Sequence, residues 1–224
     1  MSRLGPIITL SAGAVLVAGL GVASVAAAPA GDVTGADVAV QAEATSTSTP
    51  TPIKSARPER PTPVKADYGG YVKGNGGLIA ISVRDGKVVG YFCDGKTEAW
   101  FKGRAADGKA GLKGFGGASV TASLGGGKAT GTLAVGGRKW TFSAPVVKKP
   151  SGLYRATAQV RGARIRAGWI VLPRPDGDGF VQVGVAAQDD RPIPTPTLTP
   201  GQPVVVDGAQ VQPQDVDGFI EEMS

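Results

Sequence analysis

A single cysteine, Cys93, sits in VVGYFCDGKTEAWFKG (residues 88–103), among aromatic residues and a glutamate. A lone thiol can serve as a nucleophile, as half of an intermolecular disulfide, or as a wall residue of a β-sheet. Nucleophilic use requires a thiolate, which a nearby cation, a helix N-terminus or a histidine must stabilise. The chain has no histidine, so it lacks the usual general base and the commonest metal ligand. One cysteine can neither close an internal disulfide nor complete a zinc cluster. Lys96 is the one cation that a hairpin would place opposite Cys93. The sheet-wall role is preferred, and the other two stay as alternatives.

Carboxylates offer little more. Asp94 and Glu98 fall at one hairpin end, the nearest approach to the paired acids of a glycosidase. Most other acids of the central region (Asp67, Asp85, Asp107, Asp176 and Asp178) stand in turns, where aspartate has a structural use. There is no nucleophile elbow, phosphate loop or dinucleotide fingerprint. PDGDG at Pro175–Gly179 lacks the remainder of a calcium loop. No catalytic residue, metal or cofactor is expected.

Two clusters could bind. In RATAQVRGARIRAGW (residues 155–169), alternation places Arg155, Arg164 and Arg166 on one strand face, with Arg161 at the tip. Guanidinium groups on a strand grip carboxylates or phosphates bidentately. The competing explanation is a charged edge that repels other strands. The second cluster is aromatic. Val89, Trp100 and Phe115 line up across three expected strands, with Tyr91 beside them. Such a row can mark an interface, unless a loop, the tail or the second layer of a sandwich covers it.

The elements that would position these groups are strands. Turn signals recur every 9 to 15 residues, from Asp85-Gly86 through Asp94-Gly95, Asp107-Gly108, Gly125-Gly126 and Gly136-Gly137 to Arg161-Gly162 and Asp176-Gly177. That spacing indicates an all-β domain. We expect a single antiparallel up-and-down meander of roughly ten strands, barrel-like or strongly curled. Two-residue turns pair Val83 with Val88, Phe92 with Thr97, Val88 with Phe101, Ala122 with Ala129, Leu133 with Trp140 and Tyr154 with Trp169. A bulge is expected at GFGG, residues 114–117. Ile81, Phe92, Phe101, Trp140 and Trp169 would then share one interior, with Cys93 on the opposite face.

Four segments follow. Residues 1–30 read as a signal peptide or an uncleaved N-terminal membrane anchor: Arg3 precedes an apolar run from Leu4 to Ala28, and Ala28 and Ala30 form an A-x-A site. Residues 31–66 read as a disordered Thr/Pro-rich linker. Residues 67–186 are the β-domain, with net charge +11, and residues 187–224 a disordered acidic Pro-rich tail, with net charge −6. Within that tail Val216, Phe219, Ile220 and Met223 fall on one helical face, a short motif that could fold on a partner or on the domain itself. A basic domain beside an acidic tail suggests a polyanionic partner, or the tail as its counter-charge.

GGLIAISVRDGKVVGYFCDGKTEAWFKG, KPSGLYRA and RAGWIVLP resemble a recurrent β-domain of exported or membrane-anchored proteins of high-GC Gram-positive bacteria (actinobacteria). The resemblance covers about residues 68–185 and implies localisation and boundaries, with no functional residue carried over. The expected function is a non-catalytic binding or structural module of the cell envelope, secreted or extracytoplasmic. Its partner would be an envelope polyanion or a protein, not nucleic acid, with membrane contact only through the N-terminal segment. The alternatives are a carrier of a small apolar ligand inside the barrel and, third, a hydrolase.

Overall fold

Where glycine or aspartate pairs occur, the backbone takes the left-handed turns they favour. Asp85 and Gly86 have φ of 47° and 78°, which closes a hairpin with Arg84 opposite Lys87. In the computed structural model, which describes residues 61–160 and 162–223, such turns join successive strands. These are β1 (Lys65–Val72), β2 (Leu78–Arg84), β3 (Lys87–Cys93), β4 (Glu98–Ala106), β5 (Lys109–Gly114), β6 (Ser119–Gly125), β7 (Lys128–Val135) and β8 (Arg138–Pro145). They form an antiparallel meander that closes into a barrel through β1 and β8, with Tyr71 opposite Ser143 and Val72 opposite Phe142. Closure leaves no exposed sheet edge on this body.

The expected register holds at four turns and moves at two. Val83 faces Val88, Gly103 faces Leu112, Leu133 faces Trp140, and Tyr154 faces Trp169. At Asp94 the loop has four residues, because the Asp94 carboxylate accepts N–H bonds from Lys96 (3.0 Å) and Thr97 (2.7 Å). Phe92 therefore pairs with Ala99 instead of Thr97, and Tyr91 with Trp100. The β6–β7 turn falls on Gly126-Gly127, so Ala129 pairs with Leu124 instead of Ala122. Both shifts are two residues, which preserves every side chain's face. At GFGG the chain makes a 3-10 turn, Phe115–Gly117, in place of a bulge.

The meander stops at eight strands. β9 (Gly152–Val160), β10 (Ala163–Pro173), β11 (Phe180–Gln188) and β12 (Arg191–Ile193) build a second sheet against the barrel. The segment expected to be a disordered tail is ordered through Met223. It supplies β12, a hairpin of β13 (Val204–Val206) and β14 (Ala209–Val211), then β15 (Gln214–Asp215) and helix α1 (Val216–Met223). β15 extends the second sheet along β9, with order β12-β11-β10-β9-β15. The expectation failed because composition hid the apolar anchors: Leu198, Val204, Val206, Val211, Val216, Phe219 and Ile220 are all buried. The N-terminal segment and almost all of the linker lie outside the described residues, as does Arg161.

Three apolar clusters result, not one shared interior. Ile81, Phe92 and Phe101 fill the barrel with Leu112, Leu124, Leu133 and Phe142, and Trp140 packs against them. Between barrel and sheet lie Leu78, Val89, Tyr91, Cys93, Ile170, Leu172 and Phe219. Trp169 and Tyr154 face away from the barrel, under the β13–β14 hairpin. Trp169 donates its indole N–H to the Pro196 carbonyl at 2.9 Å. β2 and β3 are thus buried on both faces, as continuous apolar runs such as LIAISV should be.

Candidate functional site

The covered flank of the barrel absorbs much of what the sequence singled out. Cys93 is fully buried on the outer barrel face beneath the second sheet. Burial pushes its thiol above the ordinary range. That environment leaves it as a packing residue rather than a nucleophile or an intermolecular cross-link. Val89 and Tyr91 are equally buried, so they form an internal interface, not an open aromatic row. The Tyr91 and Trp100 rings lie 4.2 Å apart, and Phe219 of α1 meets Trp100 edge-on at 6.0 Å. Gly168 of β10 makes this stacking possible, since a Cβ there would lie 2.5 Å from the Trp100 ring. The Tyr91 hydroxyl donates to Glu98 at 2.7 Å. Phe115 is apart from the group and fully exposed.

The arginine face is partly neutralised by the chain itself. Arg155 pairs with Glu222 at 3.1 Å and lies 5.8 Å from the centroid of the Phe219 ring. Arg166 donates to the Asp189 carbonyl at 3.1 Å and approaches Asp190 at 3.7 Å. The Arg164 side chain is exposed. Trp100, Arg155 and Arg166 line one pocket of 180 Å³, which Met223 helps to close. The aromatic and basic clusters therefore meet, and the helical motif lies where they do. Val216, Phe219 and Ile220 of that motif are buried on this protein's own domain.

The acids of the tail fix that position. Asp217 binds Lys65 at 2.8 Å and Arg84, while Asp215 binds Lys149 and Glu221 binds Lys87. Hydrogen bonds from Lys65 and Arg84 hold the Asp217 carboxyl at about 2, below its ordinary value.

The opposite flank of the barrel carries the surface that the sequence reading missed. Here the strands alternate, with inward apolar and outward polar residues. Outward positions hold Lys102 and Arg104 on β4, Lys109 and Lys113 on β5, Lys128 on β7 and Lys139 on β8, all exposed. Between them stand hydroxyls: Ser119, Thr121 and Ser123 on β6, Thr130 and Thr132 on β7, Thr141 and Ser143 on β8. Glu98 is the only carboxylate on β4 to β8, and it is engaged by Tyr91. Among the described residues none of those six cations makes an ion pair.

Lys102 faces Lys113 directly across the ladder, and Lys87, which also binds Glu221, faces Arg104. Such pairs disfavour folding. They border a depression of 680 Å³ lined also by Gly103, Gly111, Leu112, Ser119, Val120 and Thr121. The signal in the sequence was KGRAADGKAGLKG (residues 102–114), with four cations and one acid. The turn reading absorbed it, because Asp107-Gly108 set the register and the flanking lysines passed as solvated.

A second cleft of 900 Å³ lies between the β1–β8 seam and the β10–β11 loop, with PDGDG at its rim. Tyr71, Val146 and Phe180 are exposed there. Among the described residues there is no group of three or more Cys, Asp or Glu placed to hold a metal ion. Comparison with protein-family models, curated proteins and solved structures finds no match to this chain.

Proposed function

We propose that this protein is a non-catalytic binding module of the cell envelope whose basic, hydroxyl-bearing barrel flank holds an anionic polymer. The supporting observation is the run of cations on β4 to β8 that make no ion pair among the described residues, including the opposed Lys102 and Lys113. Folding gains nothing from that juxtaposition, whereas a polyanion would neutralise it. The apolar N-terminal run from Leu4 to Ala28 and the A-x-A site at Ala28 and Ala30 support export. The carrier alternative has less support, because Phe92, Phe101, Leu124, Leu133 and Phe142 already fill the barrel. Glu98, the acid best placed for the hydrolase alternative, is engaged by Tyr91.

The test is retention of the full chain on purified anionic envelope polymer at rising salt. Wild-type retention should fall steeply with ionic strength, since exposed charges are screened. Lys102→Glu with Lys113→Glu should abolish it, and Arg164→Glu with Arg166→Glu should weaken it far less. Equal retention of the Lys102/Lys113 double variant and the wild type would refute the reading.

A further inference from the structure

The basic flank has a definite centre. Gly111 faces outward on β5, where every other outward residue is a lysine. Among the described residues a Cβ at this position would meet nothing within 4 Å, so no close approach there requires glycine. Its φ is not positive, so no turn requires it either. A glycine in a strand interior weakens the strand, and this one has no packing reason to be there. It instead leaves a gap in the outer face. Arg104 lies directly across on β4 and Thr121 directly across on β6. Lys113 is the next outward residue along β5, and Lys102 faces it.

Resting on the polymer-binding reading above, we propose that the gap over Gly111 seats one phosphate diester of a linear, base-free polymer. Arg104 stands beside the gap on β4, with Lys113 along β5 and Lys102 opposite Lys113, while the Thr121 hydroxyl on β6 is hydrogen-bonded to Thr132 at 2.8 Å and Leu112 and Val120 floor the depression. A carboxylate presents its acceptors in one plane, which a single arginine fork satisfies. A tetrahedral phosphate offers oxygens out of one plane, which suits a guanidinium on one side and ammonium groups from Lys102 and Lys113 beside it. The 680 Å³ depression extends beyond one phosphate and leaves room for the adjoining units of the chain. No aromatic ring lines it, so a nucleobase would find nothing to stack on.

The experiment compares three probes of matched charge on the full chain: a glycerol-phosphate oligomer, polygalacturonate and single-stranded DNA. The wild type should bind the glycerol-phosphate oligomer most tightly. Gly111→Val closes the gap with a residue that favours strands, so the fold should be kept or strengthened. It should lose about tenfold in affinity for the phosphodiester, the worth of one charge-assisted contact, with polygalacturonate unchanged. Unchanged phosphodiester binding by Gly111→Val, or tighter binding of DNA or polygalacturonate by the wild type, would overturn the site and leave the polymer reading standing. Loss of that reading has a different signature: Lys102→Glu with Lys113→Glu would bind all three probes as the wild type does.

Discussion

The barrel has two flanks built by the same meander, and they have opposite fates. β2 and β3 are apolar at successive positions and lie beneath the second sheet. β4 to β8 alternate strictly over much of their length and leave lysines, arginine, serines and threonines in water. One glycine on each side shows the contrast. Gly168 of the covering sheet is required, because Trp100 and Tyr91 occupy its side-chain space. Gly111 on the open flank has empty space before it. One glycine is explained by packing between layers, and the other has no packing partner among the described residues.

The same substitution tests that contrast from both sides. Gly168→Val should force the Tyr91–Trp100 stack from the second sheet, at a cost of about 3 kcal/mol or more in urea unfolding. Gly111→Val should leave the urea midpoint unchanged or raised, and equal destabilisation by both would erase the distinction. Phe219→Ala should come next, with a loss of about 3 kcal/mol where α1 caps the covered flank. It should also make the segment after Val211 sensitive to protease, which limited digestion would show.

Acid should act on the same cap more gently. Asp217 is held below its ordinary carboxyl value by Lys65 and Arg84. Its contribution is therefore fully present above the unfolded carboxyl pKa and disappears as pH falls through about 2. Trp100 fluorescence followed downward from pH 5 should report release of α1, and Asp217→Asn should remove that acid-dependent step. The smallest effect belongs to the open flank. Lys113→Thr removes a like-charge pair and should raise stability by about 0.5 kcal/mol while weakening polymer retention.

Much of the barrel was legible because its turns and its alternation agree. Pairings such as Ile81 with Gly90 and Gly131 with Phe142 follow from Asp-Gly and Gly-Gly turns alone. The Asp94 loop was not, since a side-chain oxygen bonding two backbone amides adds residues without changing composition. The second sheet was hidden for a related reason. Tyr154 and Trp169 pair as the hairpin predicts, yet pairing does not say which body the strand face meets. Burial of β2 and β3 on both faces was written in LIAISV and VVGYFC, whose unbroken apolar character calls for a cover that a lone meander lacks. The tail misled through its prolines, whose spacing conceals Val204, Val206 and Val211. The basic flank was visible as lysines, but its focus at Gly111 depends on which residues lie across the ladder.

The late position of β15 and α1 along the chain bears on how the protein is made. Apart from β1 with β8, each barrel strand pairs with a sequence neighbour, so those ladders can assemble while the polypeptide is still emerging. The cap cannot: Asp217 must find Lys65 across 152 residues, and Glu222 must find Arg155 across 67. A nascent chain would carry a finished barrel with Tyr91, Trp100 and Leu153 still unsealed at one border. Loss of β15 and α1 would return the folded protein to that unsealed state.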